Sequence, residues 1–299
     1  MHPTTRFAPS PTGLLHTGNA YAALYCARWA AEHHARLLLR IEDIDHTRCQ
    51  RRFADAMLED LRWLGLTWDE PVCKQSEHTN NYRQAIETLI EMDVVYPCFC
   101  TRKAIQSELD RMGVAPHVEE AGPYYPGTCR RLSAPERSSR MQRQPFAWRL
   151  DIAKAVQLTG NIPIWHDENG CAHNTPLLDD VTIGRKDIGF SYHLAVVVDD
   201  ALQEVTHVIR GEDLKSSTGI HRLLQTLLKL PEPIYIHHPL LKTPDGERLA
   251  KRIGSSTLRN LRKMGVSSER LRRYLLSGSN HVWPFMDSDE AAILATLGS

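Results

Sequence analysis

RFAPSPTGLLHTGN, Arg6–Asn19, decides how the rest of the chain is read. The stretch Thr4 to Ala8 reads as a short strand, and Pro9-Ser-Pro-Thr-Gly13 follows it as a tight turn. From about Thr17 to Glu32 the residues Ala20, Ala22, Ala23, Leu24, Cys26, Ala27 and Ala30 are apolar nearly all round, which predicts a buried helix. A strand, a stiff turn and a helix N-terminus in that order gather unpaired N–H groups and the positive end of the helix dipole at one point, an anion site. Pro9 and Pro11 hold the turn rigid. His16 stands beside the site, and Gly18 lets a ligand approach the backbone. The glycine spacing fits neither the phosphate loop nor the dinucleotide fingerprint. An ordinary strand-to-helix connection would show the same residues.

Outward from this stretch the strand–helix rhythm repeats. ARLLLRIED (35–43) predicts a second buried strand. Phe53, Met57, Leu58, Leu61 and Leu64 mark a helical face with Gly65 at its C-cap, and Tyr82, Ala85, Ile86, Leu89 and Ile90 mark another. From about 96 to 185 the chain is rich in Pro, Gly, Cys and Arg and loses its periodicity. Beyond it HLAVVVDD (193–200) and THVIRGED (206–213) read as strands, Ile220, Leu223, Leu224 and Leu227 as a helix, and IYIHH (234–238) as a strand. Strands alternating with helices on both sides of an insertion predict an α/β fold. The expected architecture is a Rossmann-like parallel sheet over 1–95 and 186–240, an inserted subdomain over 96–185, and a small helical region over 241–299.

The 299 residues carry 36 Lys plus Arg against 36 Asp plus Glu, so overall charge is silent about a nucleic-acid partner. Its distribution is not. Between 248 and 273 stand nine basic residues (Arg248, Lys251, Arg252, Arg259, Arg262, Lys263, Arg270, Arg272, Arg273) against the single acid Glu269. Such a run is either a solvated helical face or a contact surface for a polyanion. No apolar run approaches the roughly 18 residues of a membrane span, and the N-terminus lacks a signal-peptide core. The expected location is the cytoplasm. An odd seven cysteines, with Cys98 and Cys100 close together, suggest thiols or a metal site rather than a disulfide frame. Cys98, Cys100 and Cys129 supply three thiolates for a tetrahedral Zn²⁺, with free core cysteines as the alternative and His117 as an ordinary fourth ligand.

A second basic element follows IYIHHPLL. Lys242-Thr-Pro-Asp-Gly246 is a turn signal, and RLAKRIGSS then puts Lys251 and Arg252 in a Gly/Ser-rich loop. Ligands of open α/β sheets sit at the carboxyl ends of strands. One loop after the first strand and one after the last would therefore clamp a polyphosphate between them.

Taken in order, RFAPSPTGLLHTGN, LLRIEDID (38–45), VIRGEDL (208–214) and RLAKR (248–252) resemble the class I glutamyl-tRNA synthetase family over about 250 residues. Asn19 departs from the histidine that often ends the first signature. Arg248, Ala250 and Arg252 depart from the second, while Lys251 is retained. The resemblance implies ATP-dependent activation of L-glutamate, with Mg²⁺ accompanying the ATP. His16 and Lys251 are the implied catalytic residues. His16, Gly18, Asn19, Gly211, Asp213 and Lys251 are implied for ATP, and Arg6, Ser10, Glu42, Tyr192 and Arg210 for glutamate. It also implies one structural zinc on Cys98, Cys100, Tyr125 and Cys129. Glu42 suits the ammonium group, and the arginines suit the carboxylates, which they hold bidentately. Full-length members continue into a large anticodon-binding region, whereas this sequence stops at Ser299. That truncation and the cysteine cluster resemble the branch that attaches glutamate to the queuosine base at the wobble position of tRNA(Asp). A monomer is expected. Two alternatives stay open: a short synthetase charging a tRNA 3′ end, and a catalytically silent tRNA-binding paralogue.

Overall fold

The computed structural model describes residues 2–111, 125–177, 179–187, 189–242 and 257–277, together with Ile293, Thr296 and Leu297. His117, Arg248, Lys251 and Arg252 lie outside the described residues. The chain divides into two compact units. The first joins residues 1–77, 205–214 and 235–299; the second joins 78–204 and 215–234.

The first unit opens with β1 (Thr4–Phe7), α1 (Thr17–Glu32), β2 (Arg36–Ile41), α2 (Arg51–Trp63) and β3 (Asp69–Lys74). β1, β2 and β3 form a parallel sheet in that order, with Thr5 opposite Leu37 and Phe7 opposite Leu39. α1 buries residues on nearly every side, among them Ala20, Tyr21, Leu24 and Trp29, as its unbroken apolar composition predicts. α2 is amphipathic instead: Met57 and Leu61 enter the core while Arg51, Arg52 and Glu59 face solvent. Gly65 takes φ +73° just past it, the left-handed conformation that closes many helices.

The second unit holds α3 (Thr79–Glu91), β4 (Val95–Cys98), α4 (Arg102–Arg111), α5 (Ala134–Met141), β5 (Ala147–Leu150), α6 (Ile152–Thr159), β6 (Trp165–His166), β7 (Ala172–His173), β8 (Val181–Gly184) and α7 (Tyr192–Leu202). β4, β5 and β8 pair antiparallel. β9 (His207–Gly211) returns to the first unit, α8 (Thr218–Leu227) belongs to the second, and β10 (Ile234–His238) pairs with β9. α9 (Leu258–Lys263) and α10 (Ser268–Leu276) pack Leu258, Leu261, Leu271 and Leu275 into the core of the first unit, beside Ile293 and Leu297.

One expectation is overturned. Residues 193–200 form helix α7, not a strand. Leu194 to Asp200 are all buried, so the run carries no period by which a helix could be told from a strand. Ser191 settles the matter locally: its side chain caps the helix by accepting from the Leu194 N–H. Asp199, wholly buried, receives Tyr82 Oη–H at 2.8 and 2.9 Å and lies 2.8 Å from His78 Nδ1. A smaller departure concerns Ile90, which is among the exposed large apolar residues rather than on the buried face of α3.

Candidate active site and metal centre

The turn between β1 and α1 is pinned by backbone bonds on three sides. Pro9 O accepts from Glu42 N–H and Pro11 O from Gln50 N–H, each at 3.0 Å, while Leu15 O accepts from Leu258 N–H at 2.9 Å. His16 also makes an isolated antiparallel bridge with Thr257. The loop is thus built against the end of β2 and against the segment that enters α9.

His16 is the N-cap of α1. Its Nδ1 accepts the Gly18 N–H at 3.1 Å, and Asn19 Oδ1 accepts the His16 N–H at 3.2 Å, a reciprocal capping box. With Nδ1 accepting, the neutral imidazole keeps its proton on Nε2. Gly18 has a different reason from the expected one. A Cβ there would lie 2.9 Å from His16 Cε1 and 3.1 Å from Nδ1, so the space over the glycine holds the histidine ring itself.

Charged side chains cluster at the strand ends of this unit. Arg6 on β1 is 4% exposed and donates from Nη1 to Ile209 O at 3.1 Å. Arg210 on β9 is buried, donates from Nε to His237 Nε2 at 3.3 Å, and lies over the Tyr235 ring at 5.2 Å. Glu42, buried just beyond β2, faces Arg40 Nη2 at 3.5 Å. Burying three arginines is costly without anionic partners. Arg40 was missed in the sequence because it alternates with leucines inside a strand that reads as core; its pairing with Glu42 is the signal that finds it. Ser10 is exposed on the loop. A Cβ at Gly211 would fall against Asp213 Oδ1, so these two residues are mutually fitted. Cys26, between Arg6 O and Ile209 O, has its thiol pushed up to about 12 by burial and is a packing residue.

The structure therefore brings Arg6, Ser10, His16, Gly18, Asn19, Glu42, Arg210, Gly211 and Asp213 into one compact unit. Tyr192 is in the other, as the first residue of α7, and its ring packs against His193 and His221 at 5.7 and 5.6 Å.

The second unit carries the thiol cluster. The Sγ atoms of Cys98, Cys100 and Cys129 lie within 4.8 Å of one another, with 3.5 Å between Cys100 and Cys129, too far for a disulfide. A tetrahedral zinc with Zn–S near 2.3 Å needs sulfurs about 3.8 Å apart, and the cluster fits. Tyr125 Oη is 3.5 Å from Cys98 Sγ and 3.9 Å from Cys100 Sγ, and also accepts the Cys129 N–H at 2.9 Å. Hydrogen bonds, first from Cys100 and Cys129 and then from Tyr125 and Arg149, hold the Cys98 thiol far below its ordinary value despite burial.

Outer residues orient this set. Arg149 Nε reaches Cys98 Sγ at 3.4 Å while its guanidinium stacks 3.7 Å from the Tyr125 ring centre. Asp179 accepts the Tyr125 N–H at 2.6 Å, and Lys186 ties the Phe99 and Cys100 carbonyls at 2.8 and 3.1 Å. None of these three carried a sequence signal of its own, since each lies far along the chain from the cysteines. Cys26, Cys49, Cys73 and Cys171 lie outside the thiol cluster and form no disulfide among the described residues. Among the described residues no helix is long and apolar enough to cross a membrane.

The family described as class I tRNA synthetases (E and Q), catalytic domain, matches residues 3–281. The Glutamyl-Q tRNA(Asp) synthetase of Rhodobacter capsulatus is 41% identical over 281 residues, which cover 91% of this chain and 99% of that protein. The glutamate–tRNA ligase of Magnetococcus marinus is 39% identical, covering 91% of this chain but 55% of the ligase. Among solved structures, a glutamate tRNA ligase from Elizabethkingia meningosepticum in complex with its amino acid superposes with a TM-score of 0.74 at 25% identity, over 100% of this chain and 66% of that one.

Proposed function

The chain belongs to the catalytic-domain family of class I tRNA synthetases for glutamate and glutamine, and from that premise we propose that it activates L-glutamate with ATP and transfers it to the queuosine base of tRNA(Asp). The observation that carries this reading is continuous likeness to the Rhodobacter protein across 99% of that protein's length. The pinned turn and the buried arginines supply the chemistry that the reading requires.

A carboxylate oxygen of glutamate attacks the α-phosphorus of ATP, the bond to the β-phosphate's bridging oxygen breaks, and pyrophosphate leaves. A hydroxyl of the queuosine cyclopentene ring then attacks the activated carbonyl and AMP departs. The protein supplies position and positive charge where the phosphorus becomes crowded with oxygen. His16 is suited to donate from Nε2, beside the first N–H groups of α1. Lys251 is proposed as the second cation; six positions separate it from Thr257, which is bridged to His16. The Gly18 N–H holds the His16 ring and Asn19 holds the His16 backbone N–H, and Gly18, Asn19, Gly211 and Asp213 are assigned to the nucleotide. Arg6, Ser10, Glu42 and Arg210 are assigned to glutamate, Glu42 taking the ammonium; Tyr192 keeps this role from the motif match alone. Glutamine is rejected because its amide would leave a buried guanidinium poorly paired.

Cys98, Cys100 and Cys129, with Tyr125 as fourth ligand, are proposed to hold a structural Zn²⁺ that fixes residues 95–100 against 125–131. By role, the chain divides into a catalytic part over 1–95 and 186–240, an insertion over 96–185, and a tRNA-contact region over 241–299.

Transfer of radiolabelled glutamate to purified tRNA(Asp), with and without queuosine and beside tRNA(Glu), tests the reading. Label on queuosine-bearing tRNA(Asp) alone is expected. Label on tRNA(Glu) would make the protein a 3′-end synthetase, and no label on any tRNA would make it a silent tRNA-binding protein.

A further inference from the structure

The first unit contains a recess formed by one face of α1, the α2–β3 connection and α10. Its volume is about 650 Å³, within the range of nucleotide-sized pockets. Alanines of α1 and Trp68 give it an apolar wall, while Arg28, His34 and Arg272 give it cationic and hydrogen-bonding groups.

The charges are unbalanced. Among the described residues Asp69 is the only acid lining the recess, and it is occupied by the Leu37 N–H at 3.0 Å and by Arg36 at 3.7 Å. Arg272 lies over Gly65, where a Cβ would come within 2.8 Å of Nη1; its guanidinium has no hydrogen-bond or ion-pair partner among the described residues. The His34 imidazole likewise has none. Arg28 meets Glu32 only at 3.9 Å. The same holds for neighbouring cations: Lys263 closes α9 and Arg270 lies in α10, both without an acidic partner among the described residues. Arg62 sits over the Trp68 ring at 5.4 Å.

The Arg272 guanidinium without a partner among the described residues, and Arg28 with only a long, exposed ion pair to Glu32, beside an aromatic wall suit a phosphate joined to a flat base. Lys263 at the end of α9 and Arg270 on α10 add two further cations on the helices of this unit, which suits a partner with several phosphates better than a single small anion. We propose that this recess receives one nucleotide of the tRNA, its phosphate on Arg28 and Arg272 and its base against Trp68 and the alanine face. The proposal rests on the tRNA-directed function above and adds a contact point at a separate place on the molecule.

Two variants test it on the full chain. Arg28→Gln/Arg272→Gln is expected to weaken tRNA(Asp) binding five- to twentyfold at 0.1 M KCl and to reduce the slope of log K against log[salt] by about one to two, as two lost phosphate contacts require. Thr67→Trp fills the recess without removing charge and is expected to weaken binding while leaving the salt slope nearly unchanged. Circular dichroism confirms that each variant is folded. Unchanged affinity in both would overturn the proposal, and so would a Thr67→Trp variant that binds like the parent, because a general basic surface does not respond to filling. Binding of millimolar UMP that needs Arg28 and Arg272 but leaves tRNA affinity unchanged would also overturn it by making the occupant a free nucleotide. Glutamate-dependent pyrophosphate exchange by the unaltered protein reports separately on the proposed function.

Discussion

At the scale of single residues, Gly18 and Asp60 show how local contacts oppose general tendencies. Alanine at position 18 would gain about 1 kcal/mol of helix propensity over glycine. Its Cβ would displace the His16 ring and break a cap worth about 1 kcal/mol. These nearly cancel, so Gly18→Ala is expected to shift the thermal midpoint by only a few degrees. Pyrophosphate exchange should fall at least tenfold, since the ring no longer presents Nε2 from a fixed position; a wild-type rate would remove His16 from the reaction. Asp60 is the opposite case, a carboxylate 1% exposed in α2 with no hydrogen-bond partner for either oxygen among the described residues. Burial raises its pKa, Arg259 and Arg262 lower it and Glu59 raises it. A raised carboxyl pKa means that the folded state holds its proton longer, so this group's contribution to stability is lost as pH rises above the unfolded value near 3.8. Asp60→Asn should therefore stabilise the protein by about 1–3 kcal/mol at pH 7 and by nothing below pH 3.8. Urea denaturation at the two pH values measures the difference.

At the scale of elements, the proposed zinc would pin a region whose core the sequence hardly announces. Residues 96–132 show little apolar periodicity, yet Tyr96, Cys98, Phe99, Ile105, Leu109, Tyr125 and Cys129 form one buried cluster. Two elements distant in sequence, β4 with its following residues and the short turn at Thr128–Arg131, meet in that cluster. Cys129→Ser is expected to lose stoichiometric zinc in elemental analysis, and a strong chelator should lower the thermal midpoint of the parent but not of the variant. Retention of one zinc per chain by Cys129→Ser would misplace the site. What was legible in the sequence follows the same division. β1 and α1 were readable because the proline turn divides them, and α2 because of its Arg/Glu face and Gly65. α7 was not, because Leu194–Asp200 are buried throughout and a short apolar run looks alike as helix or strand. The cysteines were readable as a group, while Arg149, Asp179 and Lys186 reach them only through the fold.

At the scale of the whole molecule, zero net charge removes any long-range attraction to a polyanion, so affinity for tRNA depends on where cations are left unpaired. Sequence shows nine basic residues between 248 and 273 but not which of them are spent internally. Glu59 on α2 takes two: Arg259 Nη2 at 3.0 Å and Arg262 Nη1 at 2.9 Å, while Glu269 takes Arg273 at 2.8 Å. All of these pairs are substantially solvent-exposed and contribute little stability, on the order of 0–1 kcal/mol. Glu59 is thus a weak structural partner and an effective competitor for phosphate. Replacing it with glutamine removes one negative charge and releases two guanidiniums to the surface of α9. Glu59→Gln is expected to tighten tRNA binding two- to fivefold at 50 mM KCl and to steepen the salt dependence by about one. The gain should vanish near 0.5 M KCl, where screening has shortened the reach of exposed charges to a few ångströms. The thermal midpoint should stay within a few degrees of the parent. Anisotropy titrations with labelled tRNA(Asp) across that salt range give both numbers; an unchanged affinity at 50 mM would mean that α9 faces away from the RNA, leaving α10 and the recess as its contact.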